Sequence, residues 1–171
     1  MTAHVSRAVI LVGHGGLPKD CPQELVMTLR RLEGQRKKTG GERTQEEIEV
    51  DRKIRTWPRT PANDPYRAGL EKLAESLRPH MDGRRLTIAY NEFCAPTLED
   101  AAADLIGQGV GDLTVVPSMY TQGGSHAEIE IPDTIARLRQ AHPSVTVRYA
   151  WPFDQSLVAR MLAEHLSRFR Q

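Results

Sequence analysis

Hydrophobic positions along the chain fall into two rhythms. Short runs at residues 7–12, 85–90, 112–117 and 144–149 are dominated by Val, Ile, Leu and Ala and stop at glycine, proline or a polar turn. That pattern predicts strands buried on both faces of a parallel sheet. Between the runs, apolar residues recur at helical spacing. Leu25, Leu29 and Leu32 mark a helix over 21–33, Leu70, Leu73 and Leu77 one over 64–78, and Ala101 with Leu105 one over 97–106. Ile135 and Leu138 mark a fourth over 125–140, and Leu157, Met161 and Leu166 a fifth over 154–169. Asp20 and Pro22 predict the start of the first helix, and Thr97 with Asp100 forms a capping-box signature for the third. Pro132 falls early in the fourth and predicts a loose opening turn.

Strand and helix alternate, which calls for right-handed crossovers. The expected fold is therefore α/β, a four-stranded parallel sheet with helices on both faces. Residues 34–61 interrupt the rhythm. The stretch 34–43 is polar and contains Gly34, Gly40 and Gly41, so it reads as an exposed linker. The stretch 44–57 sets Ile48, Val50, Ile54 and Trp57 on a narrow stripe, the mark of an amphipathic helix whose charges face solvent. The expectation is one domain over 1–171 with a charged helical insertion after the first helix.

Composition then excludes several classes. At 171 residues and 39% hydrophobic content the chain can bury a substantial core. It contains no run near the roughly 18 apolar residues that a membrane helix needs, and residues 1–7 lack the halves of a secretory signal, so a cytoplasmic protein is expected. Lys plus Arg number 23 against 22 Asp plus Glu, which argues against nucleic acid as a main partner. Cys21 and Cys94 stand far apart in no CxxC pattern, so reduced thiols are expected.

Candidate chemistry collects where ligands bind in open parallel sheets, beyond the carboxyl ends of the strands. That edge gathers Gly13-His14-Gly15-Gly16, Asn91-Glu92-Phe93-Cys94, the loop from Ser118 to His126, and Ala150-Trp151-Pro152-Phe153. His14 and His126 each follow a predicted strand. A pair of neutral imidazoles with one carboxylate suits a first-row divalent ion and leaves positions open for a further ligand. Gly15, Gly16, Gly123 and Gly124, with Ser125, would admit a flat or bulky molecule. Cys94 reads as a small buried residue. His4, His80, His142 and His165 follow no strand and carry no glycine setting.

Three blocks then resemble a known family: residues 10–15 (ILVGHG), 91–101 (NEFCAPTLEDA) and 124–132 (GSHAEIEIP). Together they look like the signature blocks of the small, single-lobe sirohydrochlorin chelatases, the class II cobalt or iron chelatases of cobalamin and sirohaem synthesis. The resemblance implies that His14 and His126 bind the incoming divalent metal, with Glu92 as ligand or proton acceptor. Cobalt, iron or nickel would be a substrate, with no organic cofactor, and a tetrapyrrole the other substrate. It further implies a homodimer, because larger chelatases hold two such lobes in one chain. Glu130 stands where the family usually has aspartate, Gly16 where a serine is common, and 34–61 is extra to the compact pattern. Arg30, Arg31, Arg36, Lys37 and Lys38 are candidates to meet substrate carboxylates if that segment folds over the cleft.

The same residues admit other readings. A histidine phosphatase would carry arginine before the first histidine, where Gly13 stands. The GxSxG elbow of a serine hydrolase is absent, since Gly123-Gly124-Ser125-His126-Ala127 ends in alanine. A non-catalytic metal or tetrapyrrole carrier would use the same ligands.

Overall fold

The four apolar runs form four parallel strands in the computed structural model, which describes residues 5–169. They are β1 (Ser6–Gly13), β2 (Arg85–Tyr90), β3 (Val110–Pro117) and β4 (Thr146–Tyr149), arranged in the order β2-β1-β3-β4. The helices are α1 (Gln23–Thr39), α2 (Gln45–Arg55), α3 (Pro65–Leu77), α4 (Leu98–Gly107), α5 (Ile131–Ala141) and α6 (Gln155–Ser167). On one face of the sheet Ala8, Ile10, Val12 and Val115 pack against Leu98, Ala102 and Leu105 of α4 and Ile131, Ile135 and Leu138 of α5. On the other, Val9 and Leu11 pack against Leu70 and Ala74 of α3. Helices therefore lie on both faces, as the alternation of strand and helix requires.

Register decides where the loops emerge. Gly13 pairs with Tyr90 and Val12 with Pro117, so the carboxyl ends of β2, β1 and β3 lie level with one another. The chain leaves β1 for β2 on one side and then crosses to β3 on the other. That reversal opens a crevice at the carboxyl end of β1.

Local signals were obeyed unevenly. Thr97 accepts from Asp100 N and Asp100 from Thr97 N, the reciprocal capping box expected at α4. Asp64 caps α3 through Arg67 N, and Asp154 caps α6 through Ser156 N. Asp20 does not cap α1. Pro22 holds that position without a side-chain bond, and Asp20 instead accepts from Trp57 Nε1 and Asn63 Nδ2, tying the carboxyl-terminal end of the charged segment to the β1 loop.

The expected linker over 34–43 is also corrected. α1 continues to Thr39 and stops at Gly40, which takes the left-handed conformation at φ 66°. Gln, Arg and Lys are good helix formers, and here the extra turns are held from outside: Arg36 pairs at 3.0 Å with Glu47 of α2, a carboxylate only 1% exposed. The amphipathic helix expected over 44–57 is α2, capped by Thr44. Its buried side includes charge as well as Val50 and Ile54, because Glu47 and Asp51 turn inward to meet Arg36, Arg43 and Arg55.

Burial of strands on both faces holds for β1 but not for the far side of the sheet. β3 alternates buried and half-buried positions, and in β4 only Val147 is buried. No residue of α6 is buried, so the stripe of Leu157, Met161 and Leu166 lies on the surface. No helix among the described residues is long and apolar enough to cross a membrane. Both cysteines are free and buried. His4 lies outside the described residues.

Candidate metal centre

The loop after β1 is built around one glycine. Gly15 adopts φ +94°, and a Cβ there would sit 1.8 Å from the Glu92 carbonyl oxygen, so only glycine fits. Asn91 N donates to Gly13 O and Glu92 N to His14 O at 2.8 Å, continuing the β1–β2 pairing into the loops. His14 N donates to the Tyr66 hydroxyl at the start of α3 at 2.7 Å. These bonds hold His14 and Glu92 side by side: His14 Nε2 lies 3.9 Å from Glu92 Oε2.

His126 arrives from the other side of the crevice. After β3 an exposed loop through Gly123, at φ +93°, leads into a π-helical turn, His126–Glu130, that runs directly into α5. Pro132 falls just past this wide turn, which accounts for the loose start expected from sequence. Tyr149 of β4 donates its hydroxyl to Ala127 O at 2.8 Å and so pins the turn to the sheet; burial pushes that phenol up to about 12.

The two imidazole rings meet edge to face with centroids 4.6 Å apart, and their Nε2 atoms are 3.1 Å apart. Each ring also has an acceptor within reach of its Nδ1, the nitrogen turned away from the other ring. His14 Nδ1 faces the Gly15 carbonyl at 2.8 Å, an acceptor that demands Nδ1–H. His126 Nδ1 faces Glu130 Oε2 at 3.0 Å, while Asn91 Nδ2 lies 2.7 Å from both. The carboxylate accepts a charge-assisted bond when His126 carries its proton on Nδ1, and that tautomer is the one that leaves Nε2 free to ligate. With Nδ1 protonated on both rings the two Nε2 lone pairs face one another, an arrangement that a cation or a shared proton between them stabilises.

The separation fits a metal ion. With metal–nitrogen bonds of about 2.0–2.1 Å, two ligating nitrogens stand roughly 2.9 Å apart at an octahedral angle and 3.4 Å at a tetrahedral one, and the observed 3.1 Å lies in that window. One ligand atom each from His14, Glu92 and His126 falls within 4.8 Å of the others, and all three residues are half-buried. Among the described residues this is the one such group of three or more.

The sequence singled out these three residues, and the fold brings them together. Around them the outcome is mixed. Gly123, Gly124 and Ser125 are exposed at the rim, with open space where a Cβ on either glycine would lie. Gly15 and Gly16 are packed against protein instead, Gly16 against Tyr66 and Asp64. Cys94 is fully buried and its thiol pKa is pushed up by burial, so it stands with the core. His80 and His165 are exposed and His142 caps α5, all away from this edge.

Asn91, Tyr66 and Glu130 complete the surroundings. Asn91 and Glu130 were visible as members of the blocks, without a role; Tyr66 left no signal, because its reach to His14 exists only once α3 docks. Partial burial pushes the Glu130 carboxyl up, but hydrogen bonds from Asn91 and His126 outweigh this, helped by the charges of His126 and Lys37, and hold it below the usual range. On the same helix as Lys37, Glu33 is raised by burial and by the negative charges of Glu92 and Glu47. The charges of Glu33 and Lys37 on α1 thus reach the site's carboxylates, whereas Arg31 and Arg36 are engaged by Glu46 and Glu47.

Comparison with known proteins agrees with this architecture. The CbiX family model matches residues 62–168. The sirohydrochlorin ferrochelatase of Priestia megaterium is 28% identical over 86 residues, 49% of this chain and 32% of that protein. The chain thus spans about a third of the length of this curated relative. The sirohydrochlorin chelatase SirB from Bacillus subtilis subspecies spizizenii, solved in complex with cobalt, superposes with a TM-score of 0.52 at 20% identity, covering 91% of this chain and 47% of SirB. A CbiX protein of Marinobacter aquaeolei VT8, named for cobalamin (vitamin B12) biosynthesis, gives a TM-score of 0.54 at 24% identity, covering 96% and 98%. With the family model covering well over half of the sequence and the same fold in both solved structures, the chain belongs to the CbiX family.

Proposed function

We propose that this protein inserts a divalent metal ion, cobalt, iron or nickel, into sirohydrochlorin or a closely related tetrapyrrole. The observation that carries the reading is the facing pair of Nε2 atoms, 3.1 Å apart, with Glu92 beside them at the crevice. The names of its relatives, a sirohydrochlorin ferrochelatase and a chelatase holding cobalt, support the substrate class.

Insertion has three requirements: the ion must lose water, meet the ring face, and displace two pyrrole protons. Three protein ligands leave coordination positions open, so the ion can bond to the first pyrrole nitrogens before it leaves the imidazoles. Glu92, 3.9 Å from His14 Nε2, would take one pyrrole proton and an imidazole vacated by the departing metal the other, general-base help typically worth about 10² to 10⁴ in rate. Gly123, Gly124 and Ser125 form an open rim for the macrocycle, and Lys37 on α1, whose charge reaches Glu130, is a cation for substrate carboxylates. We further propose that two copies pair, which would supply the length present in the longer relatives. Leu157, Met161, Leu162, Leu166 and Phe169 lie 47–70% exposed on and just beyond α6, an apolar face suited to a partner.

The test is a turnover assay with sirohydrochlorin and each metal, comparing wild type with His14→Ala and His126→Ala. Loss of insertion in both variants is expected. Near-normal rates in both would refute the assignment, and stoichiometric binding without turnover in the wild type would replace the enzyme with a carrier.

A further inference from the structure

We propose that Arg55 and Arg59, both from the charged segment 34–61, are positioning residues, Arg55 holding the loop that carries Glu92 and Arg59 joining that loop to the one that carries His14; the inference rests on the metal-centre reading above. Arg55 reaches from the end of α2 to the loop after β2. Its Nη1 donates to Cys94 O and its Nη2 to Asn91 O, both at 3.2 Å, so one guanidinium brackets Glu92 from the residues on either side. The contact is returned through the backbone, since Ala95 N donates to Arg55 O at 3.2 Å.

Arg59 works one step deeper. It is almost wholly buried, paired with Asp64, and donates to Gly16 O in the loop after β1 and to Phe93 O in the loop after β2. One side chain thus links the two loops that carry His14 and Glu92. The loop it grips needs such support, because Phe93 sits at φ +55°, a conformation costly for a residue with a Cβ.

The arginines are themselves fixed. Asp51 on α2 accepts from Arg55 Nε at 3.0 Å and from Arg43 at 2.8 Å, and Glu47 accepts from Arg36 and Arg43. A chain of charge-assisted bonds therefore runs from α1 through α2 to the carbonyls behind Glu92. A merely solvated segment would not spend its buried carboxylates in this way. Planar guanidinium groups suit the task, because one fork reaches two carbonyls, which an ammonium cannot do with the same geometry.

The experiment uses Co²⁺ as the probe on the full chain. Arg55→Lys keeps the charge beside Asp51 and loses the fork; Arg55→Gln is made in parallel, so that one folded variant suffices. Affinity and the visible spectrum of bound Co²⁺ are read together with far-UV circular dichroism and Tm. The expected result is a folded variant that binds Co²⁺ about tenfold or more weakly, with a changed d–d spectrum. A folded variant with wild-type affinity and spectrum, even at lower Tm, overturns the proposal, because stability alone would then be the role of Arg55. A wild-type Co²⁺ spectrum that is indifferent to His14→Ala would instead overturn the metal centre itself.

Discussion

Glu130→Gln separates orienting a ligand from stabilising the fold. In the native protein Glu130 Oε2 accepts from His126 Nδ1 at 3.0 Å and from Asn91 Nδ2 at 2.7 Å. The Glu130 side chain is 46% exposed and that of His126 21%, so as an ion pair their contribution to folding is screened, on the order of 0–1 kcal/mol. As an orienting contact it is worth more. Losing the carboxylate that fixes a ligating imidazole's tautomer typically weakens metal binding by about 10- to 100-fold, which is about 1.4–2.7 kcal/mol. Glutamine preserves shape and removes the charge that selects Nδ1–H. Co²⁺ titration followed by visible absorption, alongside thermal unfolding of the metal-free protein, should show affinity falling by at least tenfold while Tm hardly moves. The same variant gives a pH test. The folded Glu130 carboxyl is held below its ordinary value of 4.5, so its small stabilising contribution is present above that pH and is lost as pH falls through the lowered value. The stability gap between wild type and Glu130→Gln should therefore close in acid. Co²⁺ affinity within twofold of wild type would refute the orienting role.

Two further outcomes follow from the geometry. Gly15→Ala should fail to fold or lose more than about 3 kcal/mol in a urea melt, because the new Cβ would lie 1.8 Å from Glu92 O at φ +94°; ordinary stability in that variant would mean the loop is not held as described. Leu162→Asp, on the exposed face of α6, should shift the protein from dimer to monomer in sedimentation velocity with its secondary structure intact, and a wild type that is already monomeric would remove the pairing proposal.

What the sequence determined by itself was periodic or local. Four short apolar runs bounded by turn residues announced four strands, although only β1 is buried on both faces, and Thr97 with Asp100 announced α4 because capping bonds act over three residues. His14, Glu92 and His126 were legible for a related reason: each follows a recognisable strand or glycine loop, and parallel strands deliver their carboxyl ends to one edge. Tertiary structure decided the rest. Whether Glu130 faces the crevice depends on the π-helical turn, and the proton positions on both rings depend on which acceptors that turn and Gly15 present. The charged segment misled most, because charge periodicity looks the same on a solvated face as on a buried one. Only docking against Arg36, Arg43 and Arg55 turned Glu47 and Asp51 inward, and only that packing carried Arg55 and Arg59 to the carbonyls behind the site.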